Sequence, residues 1–188
     1  MKDLIKEAIL VHSESLKNLE ENVQIIEKIT TIFISCLKNK GKIIFMGNGG
    51  SAADAQHLVA ELVGRFNLNR PALAAITLST NTSTLTAVGN DFGFEAIFAR
   101  QIQALAMPQD VVVGISTSGQ SKNVIVAIEE AKRIGAKTIG FLGKDGGRLK
   151  EIVDIPLVIK GPDTARIQEM HILAGHIICE IVEKALSE

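Results

Sequence analysis

Tryptophan and tyrosine are absent from the 188 residues, and 7 phenylalanines supply the only benzene rings. With no basic run either, the chain lacks the stacking platforms and charged tracts by which proteins hold nucleic acid, so a nucleic-acid partner has no support. Cysteine is nearly missing: Cys36 and Cys179 each lie in an apolar helical stretch without a CxxC partner. Buried reduced thiols fit them better than a disulfide or a zinc knuckle. No apolar run reaches the ~18 residues of a membrane span. The opening decapeptide carries Lys2, Asp3, Lys6 and Glu7 where a secretion signal would be apolar, so the expectation is a cytoplasmic protein with no membrane partner. Charge of one sign is missing too. A net charge of -1 with 46% apolar residues describes one globular domain spanning 1–188, long enough for a sizeable core.

What the chain has is alternation. Residues 2–19 and 21–39 show two amphipathic helical patterns, broken near Glu20-Glu21-Asn22, with apolar stripes Leu4, Ala8, Val11, Leu16 and Ile25, Ile29, Ile32, Leu37. Two helices ahead of the first strand exceed what one sheet face needs, which points to packing against another subunit, an ordinary layer on the same domain being the alternative. This helical pair (1–40) precedes an α/β core (41–188). Nearly all-apolar strands are predicted at 43–46, 72–78, 110–115, 137–142 and 155–159, with helices at 51–63, 81–88, 94–106, 121–134 and 164–186. Strands apolar on both faces and separated by helices describe a doubly wound parallel five-stranded sheet of flavodoxin-like type, whose ligands lie beyond the carboxyl ends of the strands.

The polar loops fall at those ends. Gly47-Asn48-Gly49-Gly50-Ser51 follows the first strand and opens a helix, and Ser116-Thr117-Ser118-Gly119-Gln120-Ser121 does the same after the third. Glycine lets backbone approach a ligand, and a helix N-terminus offers free N–H groups and a positive dipole end, so both loops suit an anion such as phosphate. The helix after the first loop places Asp54, His57 and Glu61 within about 60° of one another on one face. A solvated polar face has the same spacing; the adjacent glycine turn favours a site. Gly47 to Ala52 also fits the dinucleotide fingerprint G-x-G-x-x-A. That site needs an acidic residue after the second strand, where Ser79-Thr80-Asn81 stands, and no Walker lysine is present, so neither NAD nor ATP is favoured. Val88 to Phe94 reads as a second polar turn, in which Asp91 either caps the following helix or meets a ligand. On the last helix His176 lies roughly 160° from the centre of the apolar stripe, whereas His171 beside the stripe is the structural candidate, and His12 is placed at the surface.

Taken together, GNGGSAADAQHLVAEL, VGNDFGF, GISTSGQS, GKDGG and ARIQEMHILAGH resemble the sugar isomerase (SIS) domain family, and within it the phosphoheptose isomerase family, over essentially the whole chain. The resemblance implies an aldose–ketose isomerase that turns sedoheptulose 7-phosphate into D-glycero-D-manno-heptose 7-phosphate, the first step toward activated heptose for lipopolysaccharide core or capsule, working as a homotetramer with interfacial active sites. It implies phosphate held by Ser116, Thr117, Ser118 and Ser121, and sugar held by Asn48, Gly49, Gly50, Ser51, Glu61, Asn90, Asp91 and Gln168. It further implies Glu61 as base, His176 as acid and one zinc ion at His57, Glu61, Gln168 and His176. Ketose-to-aldose conversion through an enediol needs one group to move a proton between carbons and another between oxygens, which a carboxylate and an imidazole supply. The same fold also serves non-catalytic relatives that bind a replication initiator, and sugar-phosphate-sensing regulators. The initiator-binding relative lacks a histidine at the place of His176, which favours the enzyme here. Isomerisation of another phosphosugar is the remaining alternative. Gln168 and His176 are separated by ~12 Å and about 80° on a straight helix, so one ion could be shared only if long side chains converge or different subunits contribute.

Overall fold

The computed structural model describes residues 1–161 and 163–187. Its elements run α1 (Lys2–Glu20), α2 (Val23–Lys38), β1 (Ile43–Gly47), α3 (Gly50–Val63), β2 (Ala75–Thr77), α4 (Thr82–Phe92), a 3-10 turn (Phe94–Ala96), α5 (Ala99–Leu105), β3 (Val111–Ser116), α6 (Lys122–Ile134), β4 (Lys137–Gly143), α7 (Gly147–Ile152), β5 (Ile155–Ile159) and α8 (Thr164–Leu186). The strands form one parallel sheet in the order β2-β1-β3-β4-β5. This is the expected doubly wound, flavodoxin-like arrangement, and its order reverses between β1 and β3.

Strand side chains alternate between two cores. Ile43, Phe45, Val111, Val113, Ile139, Phe141, Leu157 and Ile159 face one side, where Ile29 and Phe33 of α2, Leu58 and Leu62 of α3, and Met170, Ala174 and Ile178 of α8 cover them. Ile44, Met46, Val112 and Leu142 face the other, under Ile102 of α5, Val124 and Ile128 of α6, and Leu149 of α7. Every residue of β1 and β3 is buried, which explains their nearly unbroken apolar character.

Several boundaries differ from expectation. The second strand is pared from 72–78 to three residues. Helix α4 runs on to Phe92, so Val88 to Phe92 is helical and the turn falls at Gly93, whose φ of 86° lies in the left-handed region. Asp91 therefore caps nothing. The single helix expected over 94–106 is split, because Ile97 and Phe98 turn into the core between the 3-10 turn and α5. The six-residue α7 within the loop after β4 shows too little periodicity to be read locally.

The N-terminal pair lies on the α8 side of the sheet. Arg166 donates to the Ala8 carbonyl at 2.9 Å, and His12 Nδ1 lies 2.6 Å from Glu169 Oε2, so His12 is half-buried against α8 and not a free surface group. Leu4 and Ala8, the first half of the expected α1 stripe, are exposed within one chain, as are Ile5, Ile9 and Leu10 around them, while Val11 and Leu16 are half-buried. No helix among the described residues is long and apolar enough to cross a membrane. Both cysteines are buried and unpaired, and burial pushes their thiols up to about 11 for Cys36 and about 12 for Cys179.

His171 is the structural histidine. It is fully buried, donates from Nε2 to the Leu142 carbonyl at 3.0 Å, and among the described residues has no partner at Nδ1. Burial lowers its pKa to about 4, an effect that the Leu142 bond opposes. The unfolded chain takes up this proton near pH 6.5 and the folded chain only near 4, so as pH falls through that window the native state loses up to about 3 kcal/mol from this residue. Asp54, raised to about 6, has the opposite slope below pH 6. Comparison with His171→Gln cancels that common contribution. Denaturant unfolding should show the stability gap between wild type and His171→Gln shrinking from pH 7.5 to pH 4.5; a constant gap would refute the neutral-imidazole assignment.

Candidate functional site

The loops after β1 and β3 flank the point where strand order reverses. In the first, Gly49 takes a φ of 53° as the residue before α3, and Ser51 is buried in the opening turn. Gly50 lets the Gln168 amide of α8 lie against it: a Cβ there would stand 2.5 Å from Gln168 Nε2 and 2.7 Å from its Oε1. In the second loop Ser116 Oγ is 2.9 Å from Ser121 Oγ and 3.5 Å from Ser118 Oγ, while Ser118 Oγ accepts the Gln120 N–H at 3.2 Å. Ser121 is the residue before α6, so these hydroxyls and Thr117 gather at the N-terminus of a 13-residue helix. The two loops are tied by Asn48 and Asn123, whose amides exchange hydrogen bonds of 2.9 and 2.8 Å. Asn123 is 3% exposed and escaped the sequence reading. It sits in a helix-forming stretch, and only its distant partner distinguishes it.

Along α3, His57 and Glu61 stand one turn apart, with His57 Nε2 3.3 Å from Glu61 Oε1. Helix α8 brings His176 Nε2 to 2.9 Å from His57 Nε2. One nitrogen or oxygen of each of the three lies within 4.8 Å of the others. The Phe66 ring covers His176 from another side, at 5.8 Å between centroids. Partial burial, and then the neighbouring His57, lower the pKa of His176, against the pull of Glu61. One turn before His57, Asp54 Oδ2 is buried without a partner among the described residues, and burial raises that carboxyl to about 6 despite His57.

Two imidazoles and a carboxylate are a borderline-metal donor set. Donor atoms ~2.0–2.2 Å from one tetrahedral ion stand roughly 3.3 Å apart, close to the observed 2.9 and 3.3 Å, so the residues fit a divalent ion. Gln168 is placed at the glycine loop, with its amide on Gly50. Asn90 and Asp91 are exposed at the end of α4 and bond to each other at 2.8 Å; among the described residues they make no side-chain hydrogen bond to the loops or the triad.

Neutral hydroxyl loops at a switch point, beside a carboxylate–imidazole cluster, form a concentration of polar groups in a doubly wound fold that is chemically suited to an anion. The SIS domain family model matches residues 11–143, and the chain belongs to that family. A curated relative from Nitratiruptor sp. named phosphoheptose isomerase is 52% identical over 186 residues, covering 98% of this chain and all of its own. Two solved structures extend the likeness. The phosphoheptose isomerase from Neisseria gonorrhoeae has a TM-score of 0.92 at 40% identity, covering 97% of this chain and 98% of its own. That from Francisella tularensis has a TM-score of 0.94 at 36% identity, with 97% of each covered.

Proposed function

We propose that the protein is an aldose–ketose isomerase converting sedoheptulose 7-phosphate to D-glycero-D-manno-heptose 7-phosphate, a step toward activated heptose, and that it works in the cytoplasm as one domain, 1–188. The observation that carries this reading is the convergence of His57, Glu61 and His176 in a full-length relative of phosphoheptose isomerases. In it, Ser116, Thr117, Ser118 and Ser121 hold the phosphate by neutral donors and the α6 dipole. Asn48, Gly49, Gly50, Ser51, Asn90, Asp91 and Gln168 hold the sugar hydroxyls.

Glu61 takes the proton from C1 of the ketose and returns one to C2, while His176 moves a proton between the two oxygens of the enediol. Partial burial and the neighbouring His57 favour the neutral imidazole of His176, the form that can accept a proton. The residues that would hold a zinc ion are His57, Glu61 and His176, with Gln168 as a fourth. When bound, such an ion supplies Lewis-acid polarisation of the carbonyl.

The uncovered apolar residues of α1 and the groove of Val23, Ile26, Ile34, Ile177 and Ile181 between α2 and α8 support a homotetramer with active sites near subunit boundaries. Half of the His57 side chain is exposed within one chain, which is consistent with a partner completing the site.

Purified protein incubated with sedoheptulose 7-phosphate, with a ketopentose phosphate, and with each after EDTA tests the reading. An aldoheptose phosphate formed only from the seven-carbon substrate, with activity lost to chelator and restored by Zn2+, is expected. Turnover of the pentose alone, or none of either, would overturn the substrate assignment.

A further inference from the structure

Away from the reacting groups, the same two helices are locked together a second time. The side chains of Glu183 and Arg70 are each 1% exposed, and the Arg70 Nε–H donates to Glu183 Oε1 at 3.1 Å. The carboxylate also accepts the backbone N–H groups of Phe66, Asn67 and Leu68 at 2.8, 2.7 and 2.8 Å, so the chain leaving α3 wraps around it. The guanidinium faces back onto α3. Its Nη2 donates to the carbonyl of Glu61 at 2.8 Å and its Nη1 to that of Leu62 at 2.9 Å. These are carbonyls that the helix end leaves without intrahelical partners, and a cation there also complements the negative dipole end.

Helix geometry makes this more than a stability device. Glu183 follows His176 by seven residues, so on a straight helix the two share one face of α8, roughly 20° apart and about 10 Å along it. That face meets α3 at the triad and again at the Arg70 cap. Beside the triad, at Gly175, the residue before His176, the helices touch so closely that a Cβ would stand 2.5 Å from Leu58. The rotation of α3 about its axis, and hence the direction of the Glu61 side chain toward His176, is held at its far end by Arg70 binding the backbone of Glu61.

We propose that Arg70 and Glu183 are positioning residues which set the Glu61-to-His176 geometry. This rests on the reading of Glu61 and His176 as the proton-moving pair. Misplacement of reacting groups by ~1 Å costs on the order of 100-fold in rate, whereas the phosphate loop of Ser116 to Ser121 joins β3 to α6 and keeps its grip.

The test is steady-state kinetics of Glu183→Gln and Arg70→Lys, alongside Glu61→Gln, with Co2+ alone titrated as a spectroscopic probe of the triad. Glu183→Gln should lower kcat about 10- to 100-fold, leave KM for the sugar phosphate within about 2-fold, and weaken Co2+ binding. Wild-type kcat and Co2+ affinity in a folded Glu183→Gln protein would overturn the proposal. Should that variant not fold, Arg70→Lys decides by the same readings: it keeps the charge but loses the fork that spans Glu183 and both carbonyls. Full activity of Glu61→Gln would instead show that the underlying assignment of the base is wrong, and the positioning role would fall with it.

Discussion

Replacing Glu61 by glutamine should reduce kcat by about 10²- to 10⁴-fold while the protein melts within a few degrees of wild type. The amide has the size of the carboxylate but cannot take a proton from carbon. The folded state depends little on the acid group itself: its side-chain contact is to His57 at 3.3 Å, in a partly exposed position, and pairs of that kind contribute at most about 1 kcal/mol. The KM for phosphosugar should move little, since Ser116, Ser118 and Ser121 form their cluster independently of α3. Product formation followed at saturating substrate checks the first expectation and thermal unfolding the second. A variant turning over at the wild-type rate would exclude Glu61 as the base.

The contrast between what the sequence discloses and what it conceals follows from the range of the interactions. Strands β1, β3 and β4 are legible because both their faces are buried, so each is a nearly unbroken run of apolar residues whatever its partners are. The edge strand β5 is apolar too, although Pro156 and Val158 are only half-buried. The loops are legible because glycine and serine clusters ahead of a helix have a local meaning. His57 and Glu61 are legible as neighbours because α3 alone makes them so.

His176 can be recognised only as a histidine out of place on its helix; its meeting with His57 joins residues 119 apart in the chain. Asn123, which locks Asn48, is 75 residues away from it, and Arg70 and Glu183 are separated by 113. None of these pairs leaves a periodic trace. The split between the 3-10 turn and α5 has the same origin, since the core beneath Ile97 and Phe98 overrides a stretch whose propensity is plainly helical. Nor does the spacing of Gln168 and His176 reveal that Gln168 packs on Gly50 while His176 packs on His57, although it does require them to be far apart.

Gly119→Ala should damage ligand binding and stability together. The residue has a φ of 64°, and a Cβ on it would stand 2.0 Å from the Gly146 carbonyl oxygen and 2.3 Å from its carbon. Both obstacles are backbone, so no side chain can swing aside. The Gly119 carbonyl also accepts the Leu149 N–H at 3.0 Å, and Gly147, itself at a φ of 51°, faces Gly119 from the other side. The loops after β3 and β4 are thus interlocked at this point. Left-handed strain alone costs about 1–2 kcal/mol. Separating two backbone segments of a packed loop pair brings the expected loss to roughly 3–4 kcal/mol, among the larger effects of single substitutions. To relieve the clash the loop must move, and with it Ser118 and the hydroxyl cluster around Ser116 and Ser121. The KM for phosphosugar should therefore rise by more than 10-fold, and inhibition by inorganic phosphate should weaken in parallel. The triad on α3 and α8 stays assembled, so kcat at saturation should fall less than KM rises. Denaturant unfolding and initial-rate kinetics measure the two effects; a destabilised protein with unchanged KM would place the phosphate somewhere other than this loop.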